Sequence, residues 1–122
     1  STTKGSDDLA YGLTKAVMTK YEDFKESGPS MNGYEMKRQN LTWVFPYHPG
    51  SIKFFKEAGV WGDAESKHNQ MMKERQAVLA AAWKAHMATS GSASDDDFNK
   101  GWQAARAAAL DKAGMDVPFR TW

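Results

Sequence analysis

Between Ser6 and Gly114 the chain is written mostly in helical period, and its helical segments carry their own start and stop signals. Ser6 before Asp7 and Asp8 reads as an N-cap with acids in the first turn, where the helix dipole favours negative charge. Leu9, Leu13, Ala16, Val17, Tyr21 and Phe24 then recur at helical spacing and predict an amphipathic helix over 7–26. Ser27-Gly28-Pro29 breaks it. Asp63 and Glu65 open the longest segment, 63–88, which places Ala64, His68, Met71, Met72, Val78, Leu79, Ala82, Trp83 and His86 on one broad face. Ser94 before Asp95, Asp96 and Asp97 repeats the opening signal, with Asp97 set to close a capping box. Phe98, Trp102, Ala105, Ala108 and Ala109 give the following helix, 95–113, its apolar face, and Gly114 stops it. The expected fold is mainly α, about four helices.

The remaining stretch is denser in conformational instructions. Residues 33–39 suit one or two helical turns, and Leu41-Thr42-Trp43-Val44-Phe45, β-branched and aromatic, suits an extended segment. Pro46-Tyr47-His48-Pro49-Gly50 follows, and Pro49, with no N–H to lose, fits the first position of a short helix over 50–58 that Gly59 closes. Two roles are open to this segment. Its prolines can lock a bend across which Tyr47 and His48 hydrogen-bond, fixing how the next helix docks. Alternatively, the N–H groups of Gly50, Ser51 and Ile52, flanked by Tyr47 and His48, can hold an anion at the positive end of that helix. Helix N-termini are generic, so geometry outweighs ligand binding, and Tyr47, His48, Gly50 and Ser51 stand as weak candidates for a ligand site.

Composition narrows function mainly by exclusion. Of 122 residues, sixteen Lys and Arg stand against fifteen Asp and Glu, a net charge of +1. No long-range field therefore favours nucleic acid or an anionic membrane surface. The chain has no cysteine, which rules out disulfides, thiolate zinc sites and cysteine nucleophiles within it. No apolar run approaches the roughly 20 residues that span a bilayer, and the opening Ser1-Thr2-Thr3-Lys4 has no signal-peptide apolar region. No internal repeat or low-complexity segment interrupts it, so 1–122 is expected to be one helical domain or fragment, with 1–62 and 63–122 as its halves.

Motifs for chemistry are weak. Asp95, Asp97 and Asn99 alternate as in a calcium loop, but the sixth and twelfth positions hold Lys100 and Arg106 where glycine and glutamate are needed. The cap explains those acids. His68, Met71 and Met72 offer one imidazole and two thioethers on a face expected to be core, where methionine is commonly a gap-filler, so no metal site is expected. His86 beside Trp83 is expected to be a packed or rim histidine. No serine sits in a G-x-S-x-G elbow, no catalytic set assembles, and neither an enzyme nor a cofactor is expected.

Two motifs in order carry a family resemblance. Asp7, Asp8, Leu9, Tyr11, Thr14, Lys15 and Ala16 are similar to an acidic "DDLVY.ITKAL"-like helix. His48, Pro49, Gly50, Phe54, Phe55, Glu57 and Gly59 are similar to "P.HPGA..YY.E.G", with phenylalanines for the tyrosine pair. Together they resemble the C-terminal part of TAXI-type extracytoplasmic solute receptors of TRAP transporters, and the helices after Trp61 resemble the C-terminal extension of some members. The resemblance implies the helical C-terminal portion of a two-lobed α/β periplasmic binding protein that closes on a small organic anion, an amino or dicarboxylic acid. It implies a periplasmic, non-enzymatic receptor that meets membrane transporter subunits only indirectly. The β-rich lobes would lie upstream, and no ligand-binding residue of the family carries over to a position here.

The alternative is a stand-alone helical interaction module, descended from such a receptor and docked on other polypeptides. Trp43 and Phe45, with Phe119 and Trp122 of the tail, are aromatic anchors of the type that interfaces prefer, and either the receptor's remaining lobes or another polypeptide is the partner they imply.

Overall fold

The computed structural model describes residues 5–118, which are mainly helical and include no β-strand. The elements are α1 (Asp7–Thr19), α2 (Tyr21–Phe24), two short 3-10 turns (Met31–Tyr34 and Met36–Arg38), α3 (Pro49–Glu57), α4 (Asp63–Thr89) and α5 (Asp95–Lys112). The chain divides into two compact units, Ser1–Gln70 and Met71–Trp122, with α4 contributing residues to each.

Local signals in the sequence account for most helix ends. Ser6 caps α1, its hydroxyl accepting from the Leu9 N–H at 3.2 Å. Ser94 caps α5 by accepting from the Asp97 N–H at 3.2 Å, and it donates its own hydroxyl to Asp97 Oδ2 at 2.8 Å. Glu65 Oε2 accepts the Gly62 N–H at 2.9 Å ahead of α4, the reciprocal half of a capping box. This backbone contact, the largest cause, holds the Glu65 carboxyl below the ordinary glutamate range. Gly59 and Gly114 take left-handed φ of 73° and 66°, so each helix end folds back on itself. Val60 N–H reaches the Phe55 carbonyl at 3.0 Å and Met115 N–H the Leu110 carbonyl at 2.9 Å, the six-to-one bond of a Schellman motif in both places.

Two expectations about the chain path need correction. The helix predicted over 7–26 divides at Lys20, whose φ of −98° and ψ of 14° leave the helical region. Thr19 in the last turn of α1 donates its hydroxyl to the Lys15 carbonyl at 2.7 Å, a back-bond of the kind that bends helices. Leu41–Phe45 is not extended: Asn40 Oδ1 accepts both the N–H and the hydroxyl of Thr42 at 3.1 Å, forming an Asx turn.

The core of the first unit is Phe54, Phe55 and Trp61, with Tyr11, Met18, Met36, Leu41, Tyr47 and Ile52 packed around it. Phe55 stacks on Trp61 (centroids 6.3 Å apart, interplanar angle 11°), and the edge of Tyr47 meets both. The Trp61 indole N–H donates to Ser66 Oγ at 2.9 Å. Here the predicted face of α1 is rotated. Tyr11 and Met18 reach the core, while Leu9 and Leu13 remain 67% and 63% exposed and Ala16 is also exposed.

In the second unit Leu110 is fully buried. The buried His86 sits among Trp83, Phe98 and Trp102, with centroids 6.2, 4.6 and 6.0 Å from its ring. It donates from Nε2 to the Phe98 carbonyl (3.0 Å) and accepts the Ser90 hydroxyl at Nδ1 (3.1 Å), which fixes its tautomer. Gly101 of α5 leaves room for this ring, since a Cβ there would stand 2.9 Å from His86 Cε1. Of the face predicted for α4, Ala64 is exposed, and Met71 and Trp83 are 45% and 41% exposed.

Phe55→Ala is expected to cost about 3–5 kcal/mol, whereas Leu13→Ala should stay within roughly 0.5 kcal/mol because its side chain is already in solvent. Urea titrations followed by near-ultraviolet CD measure both, and equal losses would put Leu13 back in the core. Because the Glu65 carboxyl is lowered in the folded protein, its stabilisation is present above the ordinary glutamate range and fades as pH falls through the lowered value. Glu65→Gln should therefore flatten the acid limb of a melting-temperature profile, which thermal melts across the acid range would record.

Candidate functional site

The Pro46–Gly50 segment lies where α1, α3 and the start of α4 converge within the first unit. His48 is the N-cap of α3, with extended φ and ψ of −67° and 141°. Its Nδ1 accepts the Gly50 N–H at 3.2 Å, so Nε2 carries the proton and donates to the Gly5 carbonyl at 3.1 Å. One imidazole thus closes the start of α3 and ties down the residue before the α1 cap. It is only 6% exposed. Pro49 occupies the first turn, where its missing N–H is not needed.

Gly50 is buried against α1. A Cβ at this position would overlap the Asp7 carbonyl oxygen and lie 2.8 Å from the Tyr11 nitrogen and 3.0 Å from Ala10 Cβ. Two of these three neighbours are backbone atoms, which yield only if a helix moves. Hydrogen bonds continue the contact along the helices. Thr14 Oγ1 meets Ser51 Oγ at 2.8 Å, and the Tyr11 hydroxyl donates to Glu57 Oε2 at 2.7 Å. Lys53 Nζ lies 4.8 Å from the Tyr11 ring centroid.

Tyr47 ties the same segment to its other neighbours. Its N–H donates to Asn69 Oδ1 at 2.7 Å and its hydroxyl to the Asn40 carbonyl at 2.7 Å, while burial pushes the phenol pKa up. His68 Nε2 donates to the Trp43 carbonyl at 2.8 Å, so the first turns of α4 clamp the 40–47 loop at two points. Asn69, 5% exposed, was not singled out in the sequence, and nothing around it marks it there.

The four weak ligand candidates are therefore brought together, but their polar atoms face the chain itself. Gly50 N–H is taken by His48, Ser51 by Thr14, and Tyr47 by Asn40 and Asn69. The chain also places a carboxylate of its own by this helix end, Asp7 Oδ1 lying 3.6 Å from His48 Nδ1. Of the partner candidates, Trp43 and Phe45 are 51% and 64% exposed, with Val44 between them at 64%. Phe119 and Trp122 lie outside the described residues. The aromatic loop and the α1 groove adjoin through Tyr47 and Ser51, which line both the Trp43–Phe45 cleft and the one bounded by Leu13, Val17 and Tyr34. Among the described residues no three His, Cys, Asp or Glu side chains converge on a point that would hold a metal, and no helix is long and apolar enough to cross a membrane.

Gly50→Val sets helix propensity, which favours replacing a glycine, against backbone overlap, which forbids it. The overlap dominates, and a loss of about 3 kcal/mol or more is expected. His48→Gln loses part of a cap and one further hydrogen bond, about 1–2 kcal/mol. Thermal and urea unfolding of both variants check the order, and a Gly50→Val protein as stable as His48→Gln would refute the close approach.

Residues 1–59 match the model of the NMT1-like family, a family of periplasmic-binding-protein type. No curated protein and no solved structure matches the chain. The matched span, just under half the chain, contains both motifs and the α1–α3 clasp and ends at the glycine that closes α3. Over those residues the chain is similar to a solute-binding-type protein.

Proposed function

We propose that this chain is the C-terminal part of a periplasmic solute receptor of TAXI type, serving TRAP-type uptake of small organic anions such as amino or dicarboxylic acids, with no enzymatic step. The observation that carries the proposal is that the family likeness falls on the two helices whose motif residues form the clasp. In this reading His48 and Gly50 hold geometry, turning the chain so that α3 lies against α1. The solute is bound by lobes elsewhere in the receptor, and α3 aligns the scaffold beneath them.

A second reading is favoured by one feature, the exposed Trp43-Val44-Phe45 loop. Large apolar side chains grouped on a surface mark an interface. In a stand-alone interaction subunit that loop would dock on another polypeptide; in a receptor it would meet the remaining lobes.

The native polypeptide separates the two. An antibody against this chain should detect a species far heavier than 13.6 kDa in the source cells, and that species should melt at a higher temperature with amino or dicarboxylic acids. His48→Gln in it should lower the melting temperature while leaving the preference among acids unchanged. A native species of 13.6 kDa that co-purifies with a fixed partner would establish the interaction subunit instead. Loss of acid binding in His48→Gln at unchanged stability would make the α3 N-terminus the anion site.

A further inference from the structure

Three of the seven methionines, Met71, Met72 and Met115, line one cavity of about 360 Å³ in the second unit, together with Glu74, Arg75 and Asp116. Met71 and Met72 are successive residues of α4. Met115 follows α5 and is held by the Schellman bond from its N–H to the Leu110 carbonyl. The Arg75 guanidinium donates to the Asp116 carbonyl at 2.6 Å, pinning the turn that carries Met115 to the helix that carries the other two.

Gap-filling explains methionines such as Met18 and Met36, packed on the Phe54–Phe55–Trp61 cluster. It does not explain Met71, which is 45% exposed at an open cavity with two more thioethers on its walls. Thioethers are neutral, soft donors that select soft cations such as Cu(I) over magnesium or calcium. His68 takes no part, since its Nε2 is engaged by Trp43.

We propose that Met71, Met72 and Met115 form a binding site for a soft monovalent cation, Cu(I), for which Ag(I) is a redox-inert probe. The proposal is independent of the solute-receptor reading. Thioether ligands need no deprotonation, so affinity for Ag(I) should be the same at mildly acid and neutral pH, unlike that of an imidazole or thiolate site.

The test is titration of the full chain with Ag(I), followed by calorimetry and by NMR of the methionine methyl groups. One equivalent should shift the Met71, Met72 and Met115 methyls together and leave Met18, Met31, Met36 and Met87 in place. Met115→Leu, which keeps the apolar contact and removes the sulfur, should weaken binding by about tenfold or more, and Met31→Leu should not. The methyl spectrum of the unmodified chain decides the matter even if a variant fails to fold. Shifts spread over all seven methionines, an affinity indifferent to Met115→Leu, or an affinity that falls on acidification would each overturn the site.

Discussion

The first unit depends on the distance at which α3 crosses α1. Gly50 admits the Asp7 carbonyl and the Tyr11 nitrogen to a space that any side chain would occupy, and His48 then caps the helix it opens. Once those backbones touch, Thr14 can reach Ser51, Tyr11 can reach Glu57, and Phe54 and Phe55 are presented to Trp61 and Tyr47. The hydrogen bonds and ring contacts follow from the approach. None of them would hold the helices that close if a Cβ intervened.

The same arrangement explains why a segment so rich in proline, histidine and tyrosine displays little reactive chemistry. Its polar atoms are consumed in building a corner. A histidine that accepts from one backbone N–H and donates to a carbonyl 43 residues away acts as a bracket. Its burial follows from those two bonds.

Helix ends were legible because their signals are local. Ser6, Pro49, Ser94 and Gly114 act within a few residues of themselves, and each stands where the sequence places it. Which face of a helix is buried depends on the partner and was read less well. Leu9 and Leu13 have the right period for a core, yet Tyr11 and Met18 are the residues turned inward, because α3 approaches at Asp7, Ala10 and Tyr11. Leu110, the most buried side chain among the described residues, was overlooked among alanines, and Asn69 has no sequence mark. Its value lies in one distant N–H, that of Tyr47. Gly50 was legible as a glycine that needed its smallness, though which atoms required it was not.

The two aromatic clusters give the chain two separate interiors. Trp61 reports on one, and Trp83 with Trp102 reports on the other. Each has its own buried histidine and its own glycine at the tightest approach. Cooperativity comes from shared packing, and each interior packs its own rings, so a tryptophan signal reads the unit that holds it.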